Sequence, residues 1–237
     1  MRTYTRRQLK QDQFAEATAE TLSWANLHRN KLIVGGIVVA AVLAIGLAWW
    51  QYRQGQAARA SVALSQAMTT YNAPLRPAGA PASSEVLSFT SSVERARVAH
   101  NEFQKVAAAY PHVQPGRVAG YFAALTASQM GDAAAGENEL KQVAASGDAD
   151  LAALAKMALA AQYRDTNRKS DAIRLYQEVI EHPTDTVSGS MARLELADLY
   201  AANNQTADAN KLYEQIQKDD PTSPAAELAS TRLKDLK

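Results

Sequence analysis

The sequence predicts an all-α fold, with a single N-terminal transmembrane helix, a solenoid of helical hairpins and a C-terminal capping helix. Three observations carry that expectation. Residues 32–50 run for nineteen positions without a charge. From about residue 91 onward, small, aromatic and aliphatic residues recur in a fixed pattern with a period of 36–37. The composition favours helix over sheet, because alanine dominates the C-terminal part while β-branched and aromatic residues are sparse there.

Taken in order, residues 5–30 read as a helix: Leu9, Phe14, Ala17, Leu22 and Ala25 form a loose apolar stripe among charges, with no Gly or Pro. The run at 32–50 follows. At ~1.5 Å per residue it is roughly 28 Å long, about the thickness of a bilayer's hydrocarbon core. A helix satisfies its own backbone hydrogen bonds in lipid. Trp49, Trp50 and Tyr52 crowd its C-terminal end, where amphipathic rings favour the headgroup layer. The preceding flank carries Arg2, Arg6, Arg7, Lys10, Arg29 and Lys31 against Asp12, Glu16 and Glu20. The thirty residues after it carry only Arg53, Arg59 and Arg76. Excess Lys and Arg on the first flank places the N-terminus in the cytoplasm and the C-terminus across an inner (cytoplasmic) membrane. The long flank with its acids and the length of the run argue for an anchor rather than a cleaved signal peptide. The expected organisation is a cytoplasmic segment (1–31), an anchor (32–50) and an extracytoplasmic domain (54–237) with a proline-rich insertion at 73–84. Inside the anchor, Gly36, Ala40, Ala44 and Ala48 line one side, a small-residue stripe that permits another transmembrane helix to pack closely.

Beyond the anchor, Gln54 to Tyr71 reads as an alanine-rich helix, interrupted only by Gly55. The repeat then begins. Ala172, Tyr176 and Val179 show its form: a small residue, an aromatic four later, an aliphatic seven later. Ala209, Tyr213 and Ile216 repeat it, with Pro221 at the helix end; Gly136, Leu140 and Val143 precede it, and Ala99, Phe103 and Val106, with Pro111, precede those. The helix before each element has its own signature, Leu159, Ala160 and Tyr163 in one repeat and Leu196, Ala197 and Tyr200 in the next. These positions resemble the tetratricopeptide repeat, TPR, a stacked helix pair. Lys156 and Arg193 stand where that pattern has its first Trp, and the helix at 117–130 has Ala123, Ala124 and Ala127 at all three of its sites. The first repeat reads as interrupted, its helices the one ending at Tyr71 and the one around Ala99. Pro115, Asp132, Asp148, Thr206 and Ser223-Pro224 mark helix starts. The last helix, Pro224 to Leu236, is expected to close the solenoid with Leu228, Leu233 and Leu236. Asn204 reads as an exposed turn residue, tolerant of replacement.

No chemistry is legible. The chain has no cysteine, which removes disulfides and thiolate catalysis. His28, His100, His112 and His182 are scattered without metal-ligand spacing and read as surface or helix-end residues. Asp148, Asp150, Asp219 and Asp220 fall at repeat turns, where capping accounts for them. No nucleophile elbow, phosphate loop or dinucleotide fingerprint occurs. Residues 51–237 carry nineteen basic and twenty-one acidic side chains, so nothing in the charge suggests nucleic acid. The expectation is a non-enzyme without cofactor or metal.

By the TPR resemblance, the first helix of each pair lines a concave groove. In this register its residues are Val118, Tyr121, Leu125 and Ser128, then Leu154, Met157, Ala161 and Arg164, then Met191, Leu194, Asp198 and Ala201. The candidate protein-binding set is the apolar one: Val118, Tyr121, Leu125, Leu154, Met157, Met191 and Leu194. Such a groove suits an extended apolar peptide or a partner's helix, unless the post-anchor or C-terminal helix fills it. In topology the whole chain resembles the ancillary subunits of the Sec translocon, and Arg6-Arg7-Gln-Leu9-Lys10-Gln-Asp12-Gln-Phe14 resembles the start of many bacterial membrane-anchored TPR proteins. The resemblance implies protein partners: translocon subunits, envelope chaperones or unfolded apolar segments. The alternative is a scaffold subunit of an envelope complex for division, wall synthesis or secretion, without client binding.

Overall fold

The structure, a computed structural model, describes residues 29–77, 79 and 87–236. Most of the helix expected at 5–30, and part of the proline-rich insertion, lie outside the described residues. Among those described, the helices are α1 (Arg29–Tyr71), α2 (Ser92–Ala109), α3 (Gln114–Gln129), α4 (Ala133–Ala144), α5 (Ala149–Asp165), α6 (Lys169–Glu181), α7 (Gly189–Ala202), α8 (Thr206–Asp219) and α9 (Pro224–Asp235). The chain is all-helical there, apart from one isolated bridge between Leu75 and Phe89. It divides into two units, 1–55 and 56–237.

In the first unit, the large apolar side chains described on α1 are exposed, from 49 % at Ile33 to 70 % at Ile45. The helix is long and apolar enough to cross a membrane. Arg53 lays its guanidinium over the Trp49 ring, 5.0 Å from the centroid.

In the second unit the repeat register of the sequence is the packing register of the core. The small residues Ala99, Gly136, Ala172 and Ala209 are all buried. So are Phe103, Leu140, Tyr176 and Tyr213, four residues on. Of the third set, Val106, Val179 and Ile216 are buried, and Val143 packs half-buried on the same core. The small residue sets the distance between helices. At Gly136 the approach leaves no room for a side chain: an added Cβ would overlap Ser128 Oγ and lie 2.9 Å from the Ser128 nitrogen and 3.1 Å from the Ala124 oxygen. Ala124, Ala160 and Ala197 give the same closeness from the facing helix and are fully buried.

The three later hairpins turn in the same way. Gly131, Asn167 and Asn204, spaced 36 and 37 residues apart, hold φ values of +90°, +61° and +60°. The next residue's amide reaches back five positions: Asp132 to Ala127, Arg168 to Tyr163 (2.7 Å) and Gln205 to Tyr200 (2.9 Å). This is a Schellman ending, which requires a left-handed residue and therefore selects Gly or Asn. Asn204 is thus not the replaceable turn residue that its exposure suggests. Five of the described helix starts are capped by side chains: Ser91 accepts from the Glu94 amide, Asp132 from Ala135, Asp148 from Leu151, Ser188 from Met191 and Ser223 from Ala226. By contrast α3, α6 and α8, the last starting at Thr206 after Gln205, have no such bond. Asp148 caps as expected, but its fellows tie neighbouring elements instead. Asp150 accepts from the Thr186 amide (3.2 Å), Asp219 pairs with Arg193 (3.5 Å) and Asp220 accepts from Ser190 Oγ (3.1 Å).

The interrupted first hairpin is closed by aromatics. Tyr71, at the end of α1, meets Phe103 of α2 and Phe122 of α3 edge-on, at 6.0 and 5.7 Å. The insertion is pinned where it leaves and returns: the Arg76 amide donates to the Phe89 oxygen (2.8 Å), the Phe89 amide to the Pro74 oxygen (3.1 Å), and Arg95 to the Ala73 oxygen (2.9 Å).

Two sequence expectations need correction. His100 is not a surface residue: it is 8 % exposed, and its Nδ1 lies 2.9 Å from the Ala123 oxygen. A carbonyl only accepts, so Nδ1 carries the proton. Leu228 does not face the solenoid: it is 51 % exposed, while Ala225, Ala226 and Ala229 are buried on the α7–α8 core beside half-buried Leu233 and Leu236. The seam runs on alanines because short side chains let α9 approach Tyr213 and Ile216, and Leu228 falls about 60° outside it at ~3.6 residues per turn.

Successive hairpins are also tied by charge. Glu137 of α4 pairs with Lys141 (2.7 Å) and with Arg168 (2.9 Å) before α6, and accepts from the Tyr163 hydroxyl (3.0 Å). Arg168 stacks over the Tyr163 ring at 3.9 Å. The Lys141 hydrogen bond first, then that from Arg168, pull the Glu137 carboxyl down to about 2 from its ordinary 4.5. A lowered folded-state value means stabilisation that is full above pH 4.5 and is lost as pH falls through about 2. Glu137→Gln should therefore melt below wild type at pH 7, and the gap between the two melting temperatures should close as the pH is lowered from 5 to 2. A constant gap would exclude this tie.

Two further outcomes follow from the packing. Gly136→Ala and Ala197→Leu should each cost ~1–3 kcal/mol through overpacking, measured by thermal melting of the purified chain. Asn204→Val should cost about 1–2 kcal/mol through its left-handed backbone, while Asn204→Gly should melt at or above wild type.

Candidate interaction groove

The first helices of the successive hairpins, α3, α5 and α7, carry the candidate residues. On α3, Val118, Tyr121 and Leu125 are half-buried. Tyr121 meets Phe122 edge-on at 5.5 Å, and burial, then the nearby Tyr71, push its hydroxyl pKa up. On α5, Leu154 and Met157 are half-buried, packed against Ala153, Val179, Val187 and Ala192. Tyr121, Leu125 and Met157 also rest on the central core around Leu159, Tyr163 and Tyr176. These five side chains thus present one edge outward and use the other for internal packing. Met191 on α7 is open, 44 % exposed.

Leu194 differs. It is 4 % exposed and belongs to the core formed by Ala197, Tyr213, Ile216 and the alanines of α9. The sequence register places it on the groove, yet the C-terminal helix stands where a further repeat's first helix would, and Leu194 lies beneath that junction. The signal was Ala225-Ala226 and Ala229, small enough for close approach directly after the Ser223-Pro224 helix start. The C-terminal half is also bridged by charge. Arg164 of α5 pairs with Glu195 of α7 at 3.0 Å, and Asp198 of α7 pairs with Arg232 of α9 at 3.2 Å while accepting from the Tyr213 hydroxyl at 2.6 Å. The Tyr213 hydroxyl pKa is raised, by desolvation first and then by that bond. The open apolar stretch therefore comprises Val118, Tyr121, Leu125, Leu154, Met157 and Met191.

In α1, Gly36, Ala40, Ala44 and Ala48 are all exposed, and a Cβ added at Gly36 would meet nothing within 4 Å. Among the described residues no group of His, Asp and Glu is arranged to hold a metal ion.

Comparison with known proteins gives two matches at the level of families. The model of a tetratricopeptide repeat-like domain matches residues 23–175, and that of a single tetratricopeptide repeat matches residues 191–223. The second spans α7, α8 and their turns, one hairpin in the register described above. No curated protein and no solved structure matches the chain. The first match covers well over half of the 237 residues and includes α1 through the first half of α6. The chain belongs to the tetratricopeptide repeat-like domain family, whose repeats are protein-interaction modules.

Proposed function

We propose that the protein is a single-pass inner-membrane protein, N-terminus in the cytoplasm, whose TPR domain holds apolar segments of other proteins on the far side. One observation carries this reading: the family match starts at residue 23, so the exposed apolar helix and the hairpins that follow it fall within one match. The charge flanking the anchor supports the orientation. Half-buried Leu125, Leu154 and Met157 support an apolar, adaptable ligand surface. The translocon resemblance points to translocon subunits, envelope chaperones or newly translocated chains as partners. The small-residue stripe at Gly36, Ala40, Ala44 and Ala48 would serve contact with a partner's transmembrane helix. No residue is given a catalytic role.

A second reading, a scaffold subunit without clients, is favoured by Leu194, which the chain has already covered with its own C-terminal helix. The two are separated with the full-length protein in detergent, by melting and by binding to a panel of unfolded apolar peptides. Met157→Asp should abolish binding with little change in melting, because one edge of this side chain is open. Leu194→Asp should instead collapse the melt, because it buries an unpaired carboxylate. A wild-type protein that binds none of the peptides excludes the client-holding reading and leaves the scaffold.

For the topology, protease added to intact spheroplasts should digest the chain beyond Tyr52. Protection of the repeats there would reverse the orientation.

A further inference from the structure

Helix α3 has a second working face. Val118, Tyr121 and Leu125 point to the groove, whereas Gly116, Gly120 and Ala123 lie on the opposite side of the helix at ~3.6 residues per turn. That opposite face borders a cleft of about 740 Å³, walled by α2 through Gln104 and Ala107, by α4 through Glu139 and Val143, and by Ser146 in the turn after α4.

The repeat explains why the cleft is open. Thirty-six residues after Gly120 stands Lys156, whose ammonium reaches Glu178 of α6 at 3.1 Å. Thirty-seven further stands Arg193, paired with Asp219 of α8 at 3.5 Å. At the repeat position of Gly120, both later hairpins thus carry a long basic side chain that meets an acid on the second helix. In the α3–α4 hairpin the cation's position is Gly120, and the positions of Glu178 and Asp219 are taken by Gln142 and Ser146. A Cβ at Gly120 would meet only the Ala107 Cβ, at 3.9 Å. One acid remains on the wall. Glu139 Oε1 accepts from Gln104 Nε2 (3.1 Å) and lies 4.0 Å from His100 Nε2. Its Oε2, like Ser146 Oγ, is enclosed and meets no partner among the described residues. The cationic residue on the wall, Arg117, is engaged by Asp148 at 3.2 Å.

We propose that this cleft is a second docking site, which takes an arginine or lysine side chain of a partner protein, flanked by apolar residues, in the place that Lys156 and Arg193 occupy in the later hairpins. The methylenes of such a side chain lie along Ala107 and Val143, and its charged head pairs with the Glu139 carboxylate, which lines the cleft. The site is separate from the groove, so it stands or falls independently of what the groove binds.

The test uses the full-length protein in detergent, methyl-labelled at Val and Leu, titrated by NMR with the peptide acetyl-Ala-Val-Arg-Val-Ala-amide and with its Glu counterpart. The arginine peptide should shift Val143 and Leu151, the Glu peptide should not. Gly120→Lys supplies the chain's own cation, and should weaken binding by roughly tenfold or more while leaving the melt unchanged or raised. Glu139→Gln should weaken it similarly. Equal binding of both peptides, undiminished binding by Gly120→Lys, or shifts confined to Leu125 and Leu154 would overturn the proposal.

Discussion

Everything in the repeat domain depends on how closely two helices can approach at one small residue. With Ala99, Gly136, Ala172 and Ala209 at the crossing, the aromatic or aliphatic residue four positions later reaches the interior, and Phe103, Leu140, Tyr176 and Tyr213 are buried there. That geometry fixes which side of each first helix faces inward, and so which residues are left for a groove. The left-handed residues Gly131, Asn167 and Asn204 reverse the chain at the same point of the three later hairpins, keeping them in step.

The same constraint divides the surface into regions of different character. Toward the N-terminal end of the groove, Tyr121, Leu125, Leu154 and Met157 keep an apolar edge exposed. Toward the C-terminal end, α9 covers Leu194, and the pairs Arg164–Glu195 and Asp198–Arg232 span the first helices. Packing of α9 over Leu194 thus sets the C-terminal limit of the candidate apolar surface. On the opposite side, Lys156 and Arg193 of the later first helices pair with Glu178 and Asp219, whereas the corresponding position on α3 is Gly120, beside an open cleft.

Much of this was legible in the sequence because it depends on local spacing. The positions four and seven after a small residue are fixed by helix geometry alone, and the structure buries them as that spacing requires. What was not legible depends on partners distant in sequence. His100 is held by a carbonyl twenty-three residues away, and no periodicity marks it. Leu194 occupies the same repeat position as Met157, and only the helix packed beyond it distinguishes them. Leu228 looked like a core leucine, but close approach favoured the alanines beside it. The turn residues lie between these cases. Gly131, Asn167 and Asn204 repeat with the same period as the core, yet their backbone role appears only with their φ values.

The central claim, that an anchored TPR domain receives other proteins on its open apolar stretch, is tested most directly by site-specific photocrosslinking in intact cells. A photoreactive residue at Met157 should give covalent adducts with other proteins in the membrane fraction, while the same residue at exposed Ala207 on α8 should give none. Absence of adducts at Met157, or equal adducts at both positions, would contradict the account.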